Sequence, residues 1–217
     1  DGEIKIEEDL QSGKNTKNNN DKSVKEIFKS ATFWKFAIAT SLTQGLFALN
    51  LLHIPALTSF NVSLSLAGFS IAIIAFADVS SRLMVGFSGN KINQKYLMSI
   101  AVLFLGIGSL SLSMIDKEIF GITINTNALI IIFGLCWGGG FGASIPLRLS
   151  MIADFFGRKN YGTAVGMMST IGGIFSAIAP ILGGLIYDLF ETYRVSFAVG
   201  SLLVFLAIPL ILSLKNE

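Results

Sequence analysis

Long apolar runs separated by short polar gaps set the pattern of this chain. Six of them lie at Phe33 to Leu57, Leu64 to Phe87, Tyr96 to Met114, Asn127 to Ala153, Gly162 to Tyr187 and Val195 to Leu214. Each has the length a tilted helix needs to cross the hydrocarbon core of a bilayer, about 17 to 25 residues. Six transmembrane helices are therefore predicted over residues 32–214. Residues 1–31 have a different character: 1–20 are polar, end in Asn18-Asn19-Asn20, and cannot bury enough surface to offset the entropy of ordering, so disorder is expected there. Within 21–30, Val24, Ile27 and Phe28 recur at helical spacing among lysines. That spacing fits a short amphipathic helix on a lipid or protein surface, and a solvated linker fits it equally.

Composition agrees with the pattern. Of 217 residues, 52% are hydrophobic and 14% are charged, well below the roughly 25% charged fraction of soluble domains. Residues 1–31 hold six lysines and seven acids, and most other charges fall at the ends of apolar runs. A polar cytoplasmic linker, a membrane bundle and a three-residue tail, 215–217, are the expected domains. Lys91 and Lys95 follow the second run, Arg158 and Lys159 the fourth, and Lys215 the sixth, while the gap Thr58 to Ser63 has no charge. The basic excess thus falls on one side, which predicts that both termini are cytoplasmic. The single cysteine, Cys136, excludes an internal disulfide. No apolar leader opens the chain, and its start at Asp1 suggests a fragment or processed form.

Ionisable residues inside apolar runs are the candidate chemistry, because a charge in the bilayer core costs a few kcal/mol or more. Asp78 and Arg82 sit four residues apart in the second run, on one helix face. They can neutralise each other while lining a wet path between helices, which points to a membrane transporter. A guanidinium offers a planar fork for a carboxylate, and an Asp in a low-dielectric site can have its pKa raised. A permanent ion pair that only holds the helix in place is the alternative. Arg148, about as far from the inner end of its run as Arg82, either faces the same cavity or snorkels to the interface. His53, between Asn50 and Pro55, is either an interfacial histidine or a proton relay. Gly138 to Ser144, Gly172-Gly173 and Gly183-Gly184 allow close helix packing. Pro146 and Pro180 beside them suit either kinks in helices that rock or static packing.

These residues resemble the carboxy-terminal half of the major facilitator superfamily. The stretch Gly86-Phe87-Ser88-Gly89-Asn90-Lys91-Ile92-Asn93-Gln94-Lys95 looks like that family's loop signature G-x-x-x-D-R/K-x-G-R/K-R/K, with Asn90, Asn93 and Gln94 departing from it. Residues 153–162, ADFFGRKNYG, and 180–188, PILGGLIYD, are similar to the loop after the tenth helix and the end of the eleventh in the monocarboxylate transporter and oxalate:formate antiporter branches. The resemblance implies an all-α, six-helix half of a secondary transporter, symporter or antiporter, working by alternating access, with the amino-terminal six helices missing. It further implies a small-molecule substrate, a monocarboxylate or other organic anion met by Arg82, and a proton or counter-ion coupled through Asp78. Gly86, Asn90, Lys91 and Lys95 would form a gating loop. A multi-pass protein of the plasma (inner) membrane is expected, with the lipid bilayer as a partner, no nucleic acid, no metal and no cofactor.

Two other readings stand beside this one. A self-sufficient six-helix protein could pair with itself to build the path. An intramembrane protease is disfavoured, because Gly142-Ala143-Ser144-Ile145 lacks the second glycine of a rhomboid serine motif and His53 precedes the serine.

Overall fold

The computed structural model describes residues 24–88, 92–115, 118–119, 122–123, 125–157 and 159–214. The expected disorder of 1–20 and the tail at 215–217 lie outside the described residues. The structure is all-α apart from a two-residue strand pair, Glu118–Ile119 with Ile122–Thr123. Helix α1 is Val24–Lys29 and α2 is Ala31–Leu49. A 3₁₀ turn, Asn50–Leu52, leads into α3, His53–Ser59. Then come α4, Leu64–Ser88; α5, Gln94–Ser113; α6, Thr126–Phe156; α7, Tyr161–Phe190; and α8, Arg194–Leu212. With α2 to α3 as one crossing, Ala31–Ser59, six helical segments are long and apolar enough to span a bilayer.

Local sequence places the ends. Ser30 accepts from the Phe33 amide at 3.3 Å, Asn93 from Lys95 at 3.1 Å and Asn125 from Asn127 at 2.9 Å, so α2, α5 and α6 each start on a side-chain cap. Gly157, at φ 77°, ends α6 in a backbone conformation that favours glycine. The first crossing, read from the sequence as one run, is broken near its carboxy-terminal end. Pro55 has no amide hydrogen for the Leu51 carbonyl, and the His53 amide and Nδ1 both turn to the Asn50 carbonyl. Helices α6 and α7 continue through Pro146 and Pro180 to their ends.

Neighbouring helices run in the order α4, α6, α5, α8, α2, α7. Exchanging the first three crossings with the last three maps this set of contacts onto itself. Because the first and fourth crossings run in opposite directions, the bundle is an inverted repeat of three helices. The two end helices are the least covered: 17% of the most apolar window of α4 and 11% of that of α7 are buried, against 61% in α5. Where α2 begins and α6 ends, Phe33 meets Phe156 and Phe36 meets Phe155, with ring centroids about 6 Å apart in each pair. Helix α1 docks there through the fully buried Ile27; residues 21–23 of the 21–30 stretch lie outside the described residues.

Candidate functional site

Helix α4 carries Asp78 and Arg82, and their spacing forms a two-pronged bond. Arg82 Nε donates to Asp78 Oδ1 at 2.7 Å and Nη2 to Oδ2 at 3.1 Å. The glycines of α6 set how close this pair lies to the bundle. Gly138 abuts the Ile74 backbone, and one turn later Gly142 abuts the Asp78 carbonyl, the Asp78 carboxylate and Ser81. A methyl group at either glycine would collide with α4. Despite this close approach the pair is not sealed, since the Arg82 side chain is 42% exposed and that of Asp78 20%. Arg82 Nη1 takes no part in the fork.

An aromatic floor lies beneath the guanidinium. Its Cζ is 5.8 Å from the centroid of the Phe141 ring, within cation–π range. Phe141 stacks on Trp137 at 5.1 Å and meets Phe47 of α2 edge-on at 4.7 Å, so the floor bridges α6 and α2. Sequence reasoning singled out none of these three aromatics. Their only signal was a hydrophobic pattern shared with the core, although Gly142 was already visible as a packing position.

Arg148 follows Phe141 by seven residues, two turns along the same face of α6, and is half-buried. The register of α4 on α6 pairs Asp78 with Gly142, which sets Arg82 level with about residue 146. Arg148 is then roughly 3 Å farther along the axis, at nearly the same depth. Tyr161, opening α7, is within electrostatic reach of Arg148, and among the described residues Arg148 has no hydrogen bond or ion pair.

His53 is elsewhere. Its Nδ1 lies 2.6 Å from the Asn50 carbonyl and therefore donates, while Nε2 is buried without a partner among the described residues. Its ring packs 5.8 Å from Phe133, which is nine residues and about 13 Å along α6 from Gly142. The structure thus brings Asp78, Arg82 and Arg148 toward one face and leaves His53 near the far end.

In the loop stretch, Asn90 and Lys91 lie outside the described residues, and a methyl added at Gly86 would meet nothing within 4 Å among the described residues. Lys95 Nζ donates to the Leu214 carbonyl and sits 5.8 Å over Phe155. Gln94 Nε2 donates to Asp154 Oδ2 at 2.9 Å, a link between the starts and ends of α5 and α6 that sequence reading missed. On α7, Gly183 packs against Leu49 and Leu52 and its carbonyl accepts from Ser196 at 3.2 Å, whereas Gly184 faces open space. Among the described residues no group of three His, Cys, Asp or Glu side chains is placed to hold a metal ion.

Comparison with known proteins gives this geometry a lineage. The profile of the Major Facilitator Superfamily matches residues 36–217. The chain belongs to the major facilitator superfamily. Rat (Rattus norvegicus) monocarboxylate transporter 4 is 25% identical over 195 residues, 88% of this chain and 39% of that protein. Human (Homo sapiens) monocarboxylate transporter 7 is 29% identical over 174 residues, 79% of this chain and 32% of that protein. Multidrug resistance protein 3 of Bacillus subtilis is 31% identical over 98 residues, 44% of this chain and 19% of that protein. The chain thus spans about two-fifths of the length of the first of these relatives. Membership of this superfamily, with six apolar helices, makes it an integral, multi-pass membrane protein of the transporter type. Three-helix inverted repeats within a six-helix half are the general plan of the superfamily, and the contact order here follows it.

Proposed function

We propose that this chain is half of a secondary transporter that moves a monocarboxylate or another small organic anion by alternating access. The observation that carries the reading is the Arg82 guanidinium, held by Asp78 in a two-pronged bond yet 42% exposed, at the depth of a second cation, Arg148. Two arginines on one open face, over an apolar aromatic floor, would bind a carboxylate and its short carbon chain together. The names of several relatives support the substrate class. Asp78 would supply coupling: when an anion occupies Arg82, the carboxylate loses its partner and is free to take a proton or respond to a counter-ion. Gly86, Asn90, Lys91 and Lys95 would form the inner gating loop.

The other half would be a second six-helix bundle. At Gly68 and Gly86 of α4, and Gly162, Gly166, Gly173 and Gly184 of α7, an added methyl would meet nothing within 4 Å among the described residues, so both end helices present small-residue faces to whatever covers them. Such faces let helices approach closely in lipid, where no hydrophobic drive brings them together. The basic gaps would face the cytoplasm, with both termini, in a plasma (inner) membrane. The reaction would be translocation, with no bond made or broken in the solute.

Uptake of radiolabelled lactate by the full-length protein in proteoliposomes tests this. Arg82→Lys should lower uptake at least tenfold with normal insertion, since an ammonium does not reproduce the planar fork. Wild-type uptake by that variant would remove Arg82 from the binding site.

A further inference from the structure

The face of the bundle opposite Arg82 carries a groove. Phe47 of α2 points toward Phe141, and Gly45, two residues earlier and about 200° around the helix, looks the other way. There α7 and α8 splay apart over α2 and leave an opening of about 250 Å³. Gly45 and Leu49 form its floor, Ala179 and Leu182 one wall, and Val199 and Leu203 the other. Its lining is apolar; the hydroxyl of Ser196, which also lines it, is donated to the Gly183 carbonyl.

The groove continues down α2 to a basic elbow. Ala31, Trp34, Lys35, Ile38 and Leu42 recur at spacings of three and four, so they form one stripe that runs into the groove at Leu42. Trp34 and Ile38 are exposed along it. At its foot α1 folds across, pinned by the buried Ile27 and by Trp34 Nε1, which donates to the Phe28 carbonyl at 2.9 Å. Lys25, Lys29 and Lys35 are exposed there, as are Phe28 and Trp34, which directly precede Lys29 and Lys35 in the chain. Residues 24–38 hold these three lysines against one acid, Glu26. Among the described residues none of the three lysines has a hydrogen bond or ion pair.

A cluster of lysines with no partner among the described residues, next to a tryptophan in the chain, at the end of a membrane-crossing helix and opening onto an apolar groove, matches the two ends of a phospholipid. Lysines near the membrane surface attract anionic headgroups, and tryptophan settles at headgroup level. We propose that the elbow and groove bind one anionic glycerophospholipid, with its phosphate at Lys29 and Lys35 and one acyl chain along Ile38 and Leu42 toward Gly45. The site lies on the other face from Arg82 and does not rest on the transport reading. A zwitterionic lipid would fill the groove but gain nothing from the lysines, and a neutral sterol would leave them bare.

Native mass spectrometry of the full-length protein, purified in neutral detergent and given dioleoyl phosphatidylglycerol, dioleoyl phosphatidylcholine or cholesterol, tests the proposal. The wild type should retain the glycerol lipid at least threefold more than the choline lipid or the sterol. Lys29→Gln with Lys35→Gln should bring its retention down to the choline level. Gly45→Leu, whose side chain enters the groove, should lower retention of both phospholipids. Gly45→Ala should not, because the added methyl meets the Phe175 carbonyl and Ala179 at ordinary contact distances, 3.7 and 3.8 Å. Thermal midpoints measured without added lipid identify any variant that misfolds, and the lysine pair, being on the surface, remains decisive. Equal retention of all three lipids by the wild type, or unchanged glycerol-lipid retention in the double glutamine variant, overturns it.

Discussion

Arg82 holds Asp78 by two prongs, and that fork depends on a residue of another helix having no side chain. Gly142 sits against the Asp78 carbonyl and Ser81, so Gly142→Ala must push α4 off α6 or twist the carboxylate out of the fork. Overpacking of this kind costs about 1–3 kcal/mol, and a lower thermal midpoint of the purified full-length protein should show it. An unchanged midpoint would mean that the two helices are not this close. Arg148 is tested by charge shape. If it shares the anion with Arg82, Arg148→Lys should weaken uptake several-fold although the charge remains. Wild-type uptake would make it a snorkelling anchor. The pair itself was legible in the sequence because a four-residue spacing is local to one helix. Phe47, Phe141 and Trp137 were not, since an apolar ring has the same signature in a core as beneath a guanidinium. Only the register between helices tells these cases apart.

At the scale of elements, length and hydropathy made the six crossings legible, and the ends moved by only a few residues once caps such as Ser30, Asn93 and Asn125 were in place. The 3₁₀ break at Asn50–Leu52 was not read, although Pro55 carried its signal: a missing amide four residues after Leu51. Interhelical polar links were equally hidden. The Gln94–Asp154 bond joins residues sixty positions apart, and no local pattern connects them. Asp154→Ala should cost about 1 kcal/mol and speed amide exchange in the first turn of α5, Gln94 to Leu97, with no change at the outer end. Exchange rates equal to wild type there would show that the bond does not hold the two helix ends together.

At the scale of the whole molecule, no local pattern of residues indicates which helices are neighbours. The order α4, α6, α5, α8, α2, α7 follows from contacts between distant segments, and it leaves α4 and α7 at the edges with several of their glycines, Gly68 and Gly173 among them, facing open space among the described residues. Orientation was read from charge alone, and labelling tests it. In intact cells, with Cys136 replaced by serine, an impermeant thiol reagent should react with a cysteine at the exposed Ser63 and spare one at the exposed Ile92. The reverse pattern would invert the protein. The central claim is that Asp78 and Arg82 carry out transport and do more than hold α4 in place. Removing both charges separates these roles, because a structural pair replaced by two neutral groups leaves no buried charge unpaired. The measurement is lactate uptake and surface expression of Asp78→Asn, Arg82→Gln and the double variant of the full-length protein, at several external pH values. The account predicts a double variant that reaches the membrane and does not transport; active, pH-responsive uptake by that variant would contradict it.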